Sequence, residues 1–115
     1  MRYILLIHSS EDGNQALTEE QITEMYRGHE QFGNELGALG KIRGGEELQS
    51  ATTAKLVRHD NGNVLTSDGP FIETKEQLGG FYIIEADDMD EAVKWAAKIP
   101  ASATTTIEVR PVVER

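Results

Sequence analysis

Two unbroken apolar runs limit what this chain can fold into. Residues 3–7 (YILLI) and 81–84 (FYII) are continuous stretches of β-forming side chains. A strand without polar alternation needs cover on both faces, so we expect these two strands in the middle of a sheet. Two helices can cover one face of such a sheet. We therefore expect a second copy of the chain to cover the other, giving a homodimer through the sheet face.

Capping patterns place the helices between these strands. Thr18-Glu-Glu-Gln21 has the form of a capping box and predicts a helix of about 20 residues that ends near residues 37–40, after a polar loop over 9–17. One apolar stripe follows on that helix and contains a histidine: Ile22, Met25, His29, Phe32, Leu36 and Leu39. Asp88 and Glu91 form the second cap, and Pro100 stops the second helix. The residues expected on its buried face are Met89, Ala92, Val93, Ala96 and Ile99.

The remaining segments predict strands and turns. Asn61-Gly62 between two β-forming runs indicates an exposed hairpin over about 54–67, with His59 facing solvent. Residues 42–48 predict an irregular strand, since Gly44-Gly45 permits a bulge or a close backbone approach. Residues 106–112 alternate apolar and charged side chains, and Pro111 indicates an edge strand. Thr74-Lys-Glu-Gln77 repeats the capping pattern and predicts a short helical turn.

This order of elements predicts an α+β fold. It matches the ferredoxin-like βαββαβ plan, an antiparallel sheet with an inserted β-hairpin, in a single domain over residues 1–115. In that plan the first and third core strands are central, and these are the two with unbroken apolar runs.

Composition narrows the functions available. Lys and Arg number 11 against 20 Asp and Glu, and a net charge of −9 argues against binding to nucleic acid or to a membrane surface. The chain has no cysteine, which excludes thiolate nucleophiles and thiolate zinc sites. No phosphate loop or nucleophile elbow is present. No leader-like segment is visible, so we expect a cytoplasmic protein.

Residues 68–82 read DGPFIETKEQLGGFY, a segment that resembles the signature of the YCII-related family, and of its DGPF branch in particular. The resemblance extends through MDEAVKWAA at 89–97 and IEVRPV at 107–112. It implies a fold of the dimeric α/β-barrel type and a cofactor-free lyase-like or isomerase-like enzyme that uses a His–Asp pair for proton transfer on a small organic substrate. The alternative that it implies is a non-catalytic dimeric ligand-binding or regulatory module linked to sigma-factor-type transcription control. Residues 99–105 depart from the family pattern.

Histidines and their neighbours supply the candidate site. The resemblance places the catalytic pair at His29 and Asp68, whereas the residues alone leave His29 as either a core histidine or a general base, and Asp68 as either a turn-former or an acid. His8, Phe71 and Tyr82 are candidates for binding substrate, although the aromatic residues fit the core equally well. We expect the turn after Asp68 to aim Phe71 inward and to leave Asp68 at the pocket mouth. The three histidines lack metal-binding spacing, so we predict neither a metal nor a cofactor.

Overall fold

The computed structural model describes residues 1–71 and 75–115. Its elements run in the order β1 (Arg2–Ser9), α1 (Glu11–Gln15), α2 (Glu19–Ala38), β2 (Ile42–Glu47), a 3-10 turn (Ala51–Thr53), β3 (Lys55–Asp60), β4 (Asn63–Asp68), β5 (Gln77–Glu85), α3 (Met89–Ala96) and β6 (Thr106–Pro111). The predicted ferredoxin-like α+β fold is confirmed.

Within the described residues, the main sheet is antiparallel and has the strand order β2-β5-β1-β6. The apolar strands β1 and β5 are therefore the inner strands, as predicted, with Tyr3 opposite Ile84 and Leu5 opposite Tyr82. β6 is an edge strand, which tolerates Pro111 because an edge strand leaves part of its backbone outside the ladder.

The core lies between α2, α3 and one face of this sheet. Its buried residues are Tyr3, Leu5, Phe32, Leu36, Ile84, Ala86, Ala92, Ala96 and Ile99. Because side chains alternate along a strand, the other face carries Ile4 and Leu6 of β1 opposite Ile83 and Phe81 of β5. All four are half-buried in the single chain. The unbroken runs thus divide between a covered face and a face that none of the described helices covers.

The capping box of α2 is present as predicted. The Gln21 amide donates to Thr18 Oγ1 at 3.1 Å, and the Thr18 amide donates to Gln21 Oε1 at 2.8 Å. Gly40 then takes a left-handed conformation (φ 68°) just after the helix. Nothing among the described helices has the length and apolarity needed to cross a bilayer.

The polar loop predicted for residues 9–17 is wrong over its middle, where α1 forms. Ser10 begins this helix by accepting a hydrogen bond from the Gly13 amide at 3.0 Å. Glu11 in its first turn adds a favourable charge at the positive end of the helix. The carboxylate of Glu11 also accepts from the amide of Ala51 at 2.6 Å, so a contact distant in sequence helps to hold the helix.

The second helix begins where predicted, since Asp88 accepts from the Glu91 amide at 2.8 Å. It ends at Ala96, before the predicted last member Ile99. The predicted buried face is wrong in two positions, because Met89 and Val93 are exposed. Trp95 packs against the core instead. Its indole nitrogen donates to Glu91 Oε2 at 3.3 Å, a contact that periodicity alone does not reveal.

The predicted hairpin is formed by β3 and β4 and is exposed along most of its length. Asn61 (φ 49°) and Gly62 (φ 83°) both occupy the left-handed region, as a two-residue hairpin turn with right-handed strand twist requires. The bulge expected near Gly44 is also found, as a register shift between Ile42 and Gly44 against β5. The helical turn predicted from Thr74 begins outside the described residues, and its later part is wrong because β5 already begins at Gln77.

Candidate functional site

A cavity of about 470 Å³ lies on the helix-covered side of the sheet, beside the N-terminal half of α2. Its wall combines aromatic, aliphatic and glycine residues with a few polar groups. The lining residues are Ile7, Ser9, Asn14, Leu17, Ile22, Met25, Tyr26, His29, Gly45, Glu46, Glu47, Gly79, Gly80, Phe81 and Tyr82. A concave, mostly apolar space with a few converging polar groups is the usual form of a small-molecule site.

His29 and Tyr82 meet in the wall of this cavity. His29 lies on the apolar stripe of α2, one turn before the buried Phe32, and Tyr82 lies on the central strand β5. The Nδ1 atom of His29 is 2.8 Å from the Tyr82 hydroxyl oxygen, and the two rings stack with their centroids 5.9 Å apart. Phe32 packs against Tyr82 with a centroid distance of 4.8 Å. The pair is therefore held between a helix and a strand that packing fixes in place.

Burial shifts the pKa of both His29 and Tyr82. It lowers the pKa of His29, and the negative charge of Glu47 opposes that effect only in part. It raises the pKa of Tyr82, again with a contribution from Glu47. At neutral pH, His29 is therefore a neutral imidazole and Tyr82 a neutral phenol. Nδ1 bonds to Tyr82, and Nε2 has no hydrogen-bond partner in the described part of the chain.

The carboxylate that reaches this cavity is Glu47, at the end of β2. The Tyr26 hydroxyl donates to Glu47 Oε1 at 2.8 Å, and this hydrogen bond raises the pKa of Tyr26. Sequence reasoning missed both residues. A signal was available, because alternation along β2 puts Glu47 on the same face as Gly45, opposite Gly80 and Tyr82 of β5.

Two glycines bring β2 and β5 close enough to form this wall. A Cβ atom on Gly45 would lie 2.8 Å from Tyr82 Cδ1 and 2.9 Å from the Phe81 carbonyl oxygen. A Cβ atom on Gly80 would lie 2.9 Å from the Glu46 carbonyl oxygen. Neither position has room for a side chain. The close backbone approach expected from the glycine pair at 44–45 is thus found at Gly45.

Asp68 lies elsewhere. It is the last residue of β4, its side chain is 81% exposed, and it forms an ion pair with Lys55 across the hairpin. It does not line the cavity, and the structure does not bring it together with His29 within one chain. The role that the resemblance gives to Asp68 stays a prediction.

The remaining predicted residues also stand apart from the cavity. His8, at the end of β1, has its Nε2 atom 3.5 Å from Glu108 Oε1. The expectation that Phe71 points inward is wrong, since it is 68% exposed and lies under the Arg58 guanidinium, 5.4 Å from the ring centroid. The amide of Gly69 donates to the Ala54 carbonyl at 2.8 Å, so the chain here continues along the exposed hairpin and away from the core.

No group of three or more His, Asp or Glu side chains in residues 1–71 and 75–115 is placed to hold a metal ion. Among the described residues, the titratable side chains on the cavity side are those of His29, Tyr26, Tyr82 and Glu47. The chemistry this wall can supply from its own residues is hydrogen bonding and proton transfer.

Comparison with known proteins adds two findings. A family model described as YCII-related domain matches residues 1–115. An uncharacterised protein of Rhizobium meliloti (strain 1021) is 34% identical over 113 residues, which cover 96% of this chain and 91% of the relative.

Proposed function

The chain belongs to the YCII-related domain family, and from this premise we propose that it binds a small organic molecule in the cavity beside α2 and that His29 exchanges a proton with it. The observation that carries the proposal is the His29–Tyr82 hydrogen bond of 2.8 Å in the wall of that cavity. The activity is of the lyase or isomerase kind.

A general base must be neutral, oriented and within reach of its substrate. Burial keeps His29 neutral by lowering its pKa. The bond to Tyr82 orients the ring, and we assign the tautomer in which Nδ1–H donates to the phenol oxygen. Nε2 then carries the lone pair that accepts the proton.

His29 can take a proton from the substrate and return it, as an isomerisation requires. His29 Nε2 takes a proton from an acidic C–H or O–H bond of the substrate, and the electron pair left behind delocalises within the substrate. The resulting imidazolium keeps its Nδ1–H bond to Tyr82 and is stabilised by the charge of Glu47. Returning the proton from Nε2 to a different substrate atom completes the reaction and restores neutral His29.

The experiment is proton exchange in D₂O, followed by NMR on a panel of small cyclic ketones, lactones and amino ketones. We expect the protein to accelerate C–H exchange for some members, and His29→Gln to lower that rate by about 10²–10⁴ with the fold retained. His59→Gln, in the exposed hairpin, is the matched control and should exchange at the original rate. Equal rates for His29→Gln and the original protein would contradict the proposal. Binding without any exchange would support the ligand-binding module instead.

We also propose that the protein is a homodimer through the uncovered sheet face. Support comes from the cross-strand pairs Ile4–Ile83 and Leu6–Phe81, which form a half-buried apolar patch on that face. A partner sheet would remove this patch from water over a total interface larger than about 1,200 Å². Light scattering should give twice the chain mass. Leu6→Glu should halve that value, and Leu39→Glu, at an exposed position after α2, should not. One chain mass for the original protein at micromolar concentration would refute the dimer.

A further inference from the structure

We propose that the cavity beside α2 selects small organic cations of the alkylammonium class and rejects carboxylates, with Glu47 as the counter-charge. This inference rests on the proposed function of the same cavity and names the class of molecule that it takes.

The charged side chain that faces the cavity is negative. Glu47 lies on the same sheet face as Gly45 and Tyr82, and no Lys or Arg is among the residues that line the cavity in the described part of the chain. A ligand carboxylate would meet like charge and find no guanidinium or ammonium group to receive it. Across the chain the balance is also negative, at −9. The field at the cavity mouth therefore attracts cations.

The charge of Glu47 is held in place and is not paired with a basic group of residues 1–71 or 75–115. The Tyr26 hydroxyl donates to Oε1 at 2.8 Å, which fixes the carboxylate against α2. No ion pair joins Glu47 to a basic group within the described residues, whereas Glu24, Glu35, Glu85, Glu91, Glu108 and Glu114 each have one. The charge acts into the cavity, because it affects the pKa of both His29 and Tyr82.

The wall around this charge suits an organic cation. Tyr26 and Tyr82 bring aromatic rings to it, and Ile22 and Met25 bring aliphatic surface. Aromatic faces attract alkylammonium groups, while the aliphatic part of the ligand gains by leaving water. A volume of about 470 Å³ is enough for a molecule of roughly one ring and a side chain.

Three probes of nearly the same shape test the selection: benzylammonium, benzyl alcohol and benzoate. Each is titrated into the full chain at neutral pH, and the dissociation constant is read from the ring resonances of His29 and Tyr82. At an effective dielectric constant of about 20, a charge pair a few ångströms apart gives about tenfold or more in affinity. We therefore expect benzylammonium to bind at least about tenfold more tightly than benzyl alcohol, and benzoate to bind most weakly.

Two matched variants assign the effect to Glu47. Glu47→Gln should bring benzylammonium and benzyl alcohol to within about twofold of each other, because only the charge is removed. Glu30→Gln removes one negative charge from an exposed position on α2 that does not line the cavity, and should leave the preference unchanged. Circular dichroism confirms that both variants keep the fold.

The outcomes separate this inference from the function on which it rests. Binding of benzoate as tight as that of benzylammonium, or a preference that survives Glu47→Gln, would overturn the cation selection and leave proton transfer by His29 standing. No perturbation of the His29 or Tyr82 resonances by any of the three probes at millimolar concentration would overturn the cation selection, and proton transfer by His29 would then be decided by the exchange experiment. Cation preference in a protein whose His29→Gln variant exchanges protons normally would leave the selection standing and overturn the proton-transfer role.

Discussion

The Gly28→Ala variant should be less stable than the Gly33→Ala variant, although both glycines lie inside α2. A Cβ atom on Gly28 would lie 2.5 Å from Pro100 Cγ and 3.4 Å from Pro100 Cβ, whereas a Cβ atom on Gly33 would meet nothing within 4 Å. The proline ring cannot move without its backbone, so α2 and the segment after α3 must separate slightly.

The expected magnitudes follow from two opposing effects. Replacing glycine by alanine in a helix interior stabilises by about 1 kcal/mol, and forcing a methyl group into a filled contact costs about 1–3 kcal/mol. Gly33→Ala should therefore raise the free energy of unfolding by about 1 kcal/mol, while Gly28→Ala should leave it unchanged or lower it by up to about 2 kcal/mol. The two variants should differ by about 1–3 kcal/mol, or roughly 4–12 °C in melting temperature.

Urea unfolding followed by Trp95 fluorescence measures this difference, since Trp95 packs edge-on against Phe32 of α2 with a centroid distance of 6.3 Å. The slope of the unfolding free energy against urea concentration should be the same for both variants. Equal slopes indicate that the two denatured states are comparable. Equal stabilisation by Gly28→Ala and Gly33→Ala would refute the contact between α2 and Pro100.

Three further outcomes are expected. Glu47→Gln should lower the pKa of His29, because the negative charge at Glu47 raises that pKa. Asp68→Asn should change the pKa of His29 less. An NMR titration that gives the larger shift for Asp68→Asn would instead support the His29–Asp68 pair implied by the family resemblance. Burial lowers the pKa of His29, so as pH falls below about 6.5 the unfolded chain takes up a proton on His29 before the folded chain does. The free energy of unfolding of the original protein should therefore fall with pH more than that of His29→Gln. Parallel curves of stability against pH for the two proteins would contradict the burial effect. Leu36→Ala, at a fully buried position, should lower the free energy of unfolding by about 2–5 kcal/mol. Leu39→Ala, at a position that is 60% exposed, should lower it by less than about 0.5 kcal/mol. Similar losses in urea unfolding would contradict the register of α2.

The fold could be predicted because its signals are local. The capping box at Thr18, the turn at Asn61-Gly62 and the unbroken runs in β1 and β5 each depend on residues close in sequence, and each is found where predicted. The α1 helix was missed because a contact distant in sequence helps to hold it, from Glu11 to the amide of Ala51.

The candidate site could be predicted only in part, because a site depends on which strands are neighbours. The α2 stripe identified His29, and the family resemblance favoured it, but the stripe gives no partner, and the resemblance gives Asp68 where the structure pairs His29 with Tyr82. The partner Tyr82 follows from the place of β5 in the middle of the sheet, and Glu47 follows from the pairing of β2 with β5. Asp68 was selected from the signature segment itself, and the hairpin that carries it extends away from the core.

The close approach of β2 and β5 restricts how this cavity can change during evolution or in the laboratory. At Gly45 and Gly80 any larger residue would collide with backbone atoms across the strand pair, so this side of the cavity cannot be reshaped by substitution without separating the strands. New ligand specificity must come from the opposite wall, where Ile22, Met25 and Tyr26 project from α2 and can be exchanged without breaking a sheet hydrogen bond. A library directed at those three helix positions should therefore yield folded variants with altered ligand preference, whereas one directed at the two glycines should yield unfolded chains.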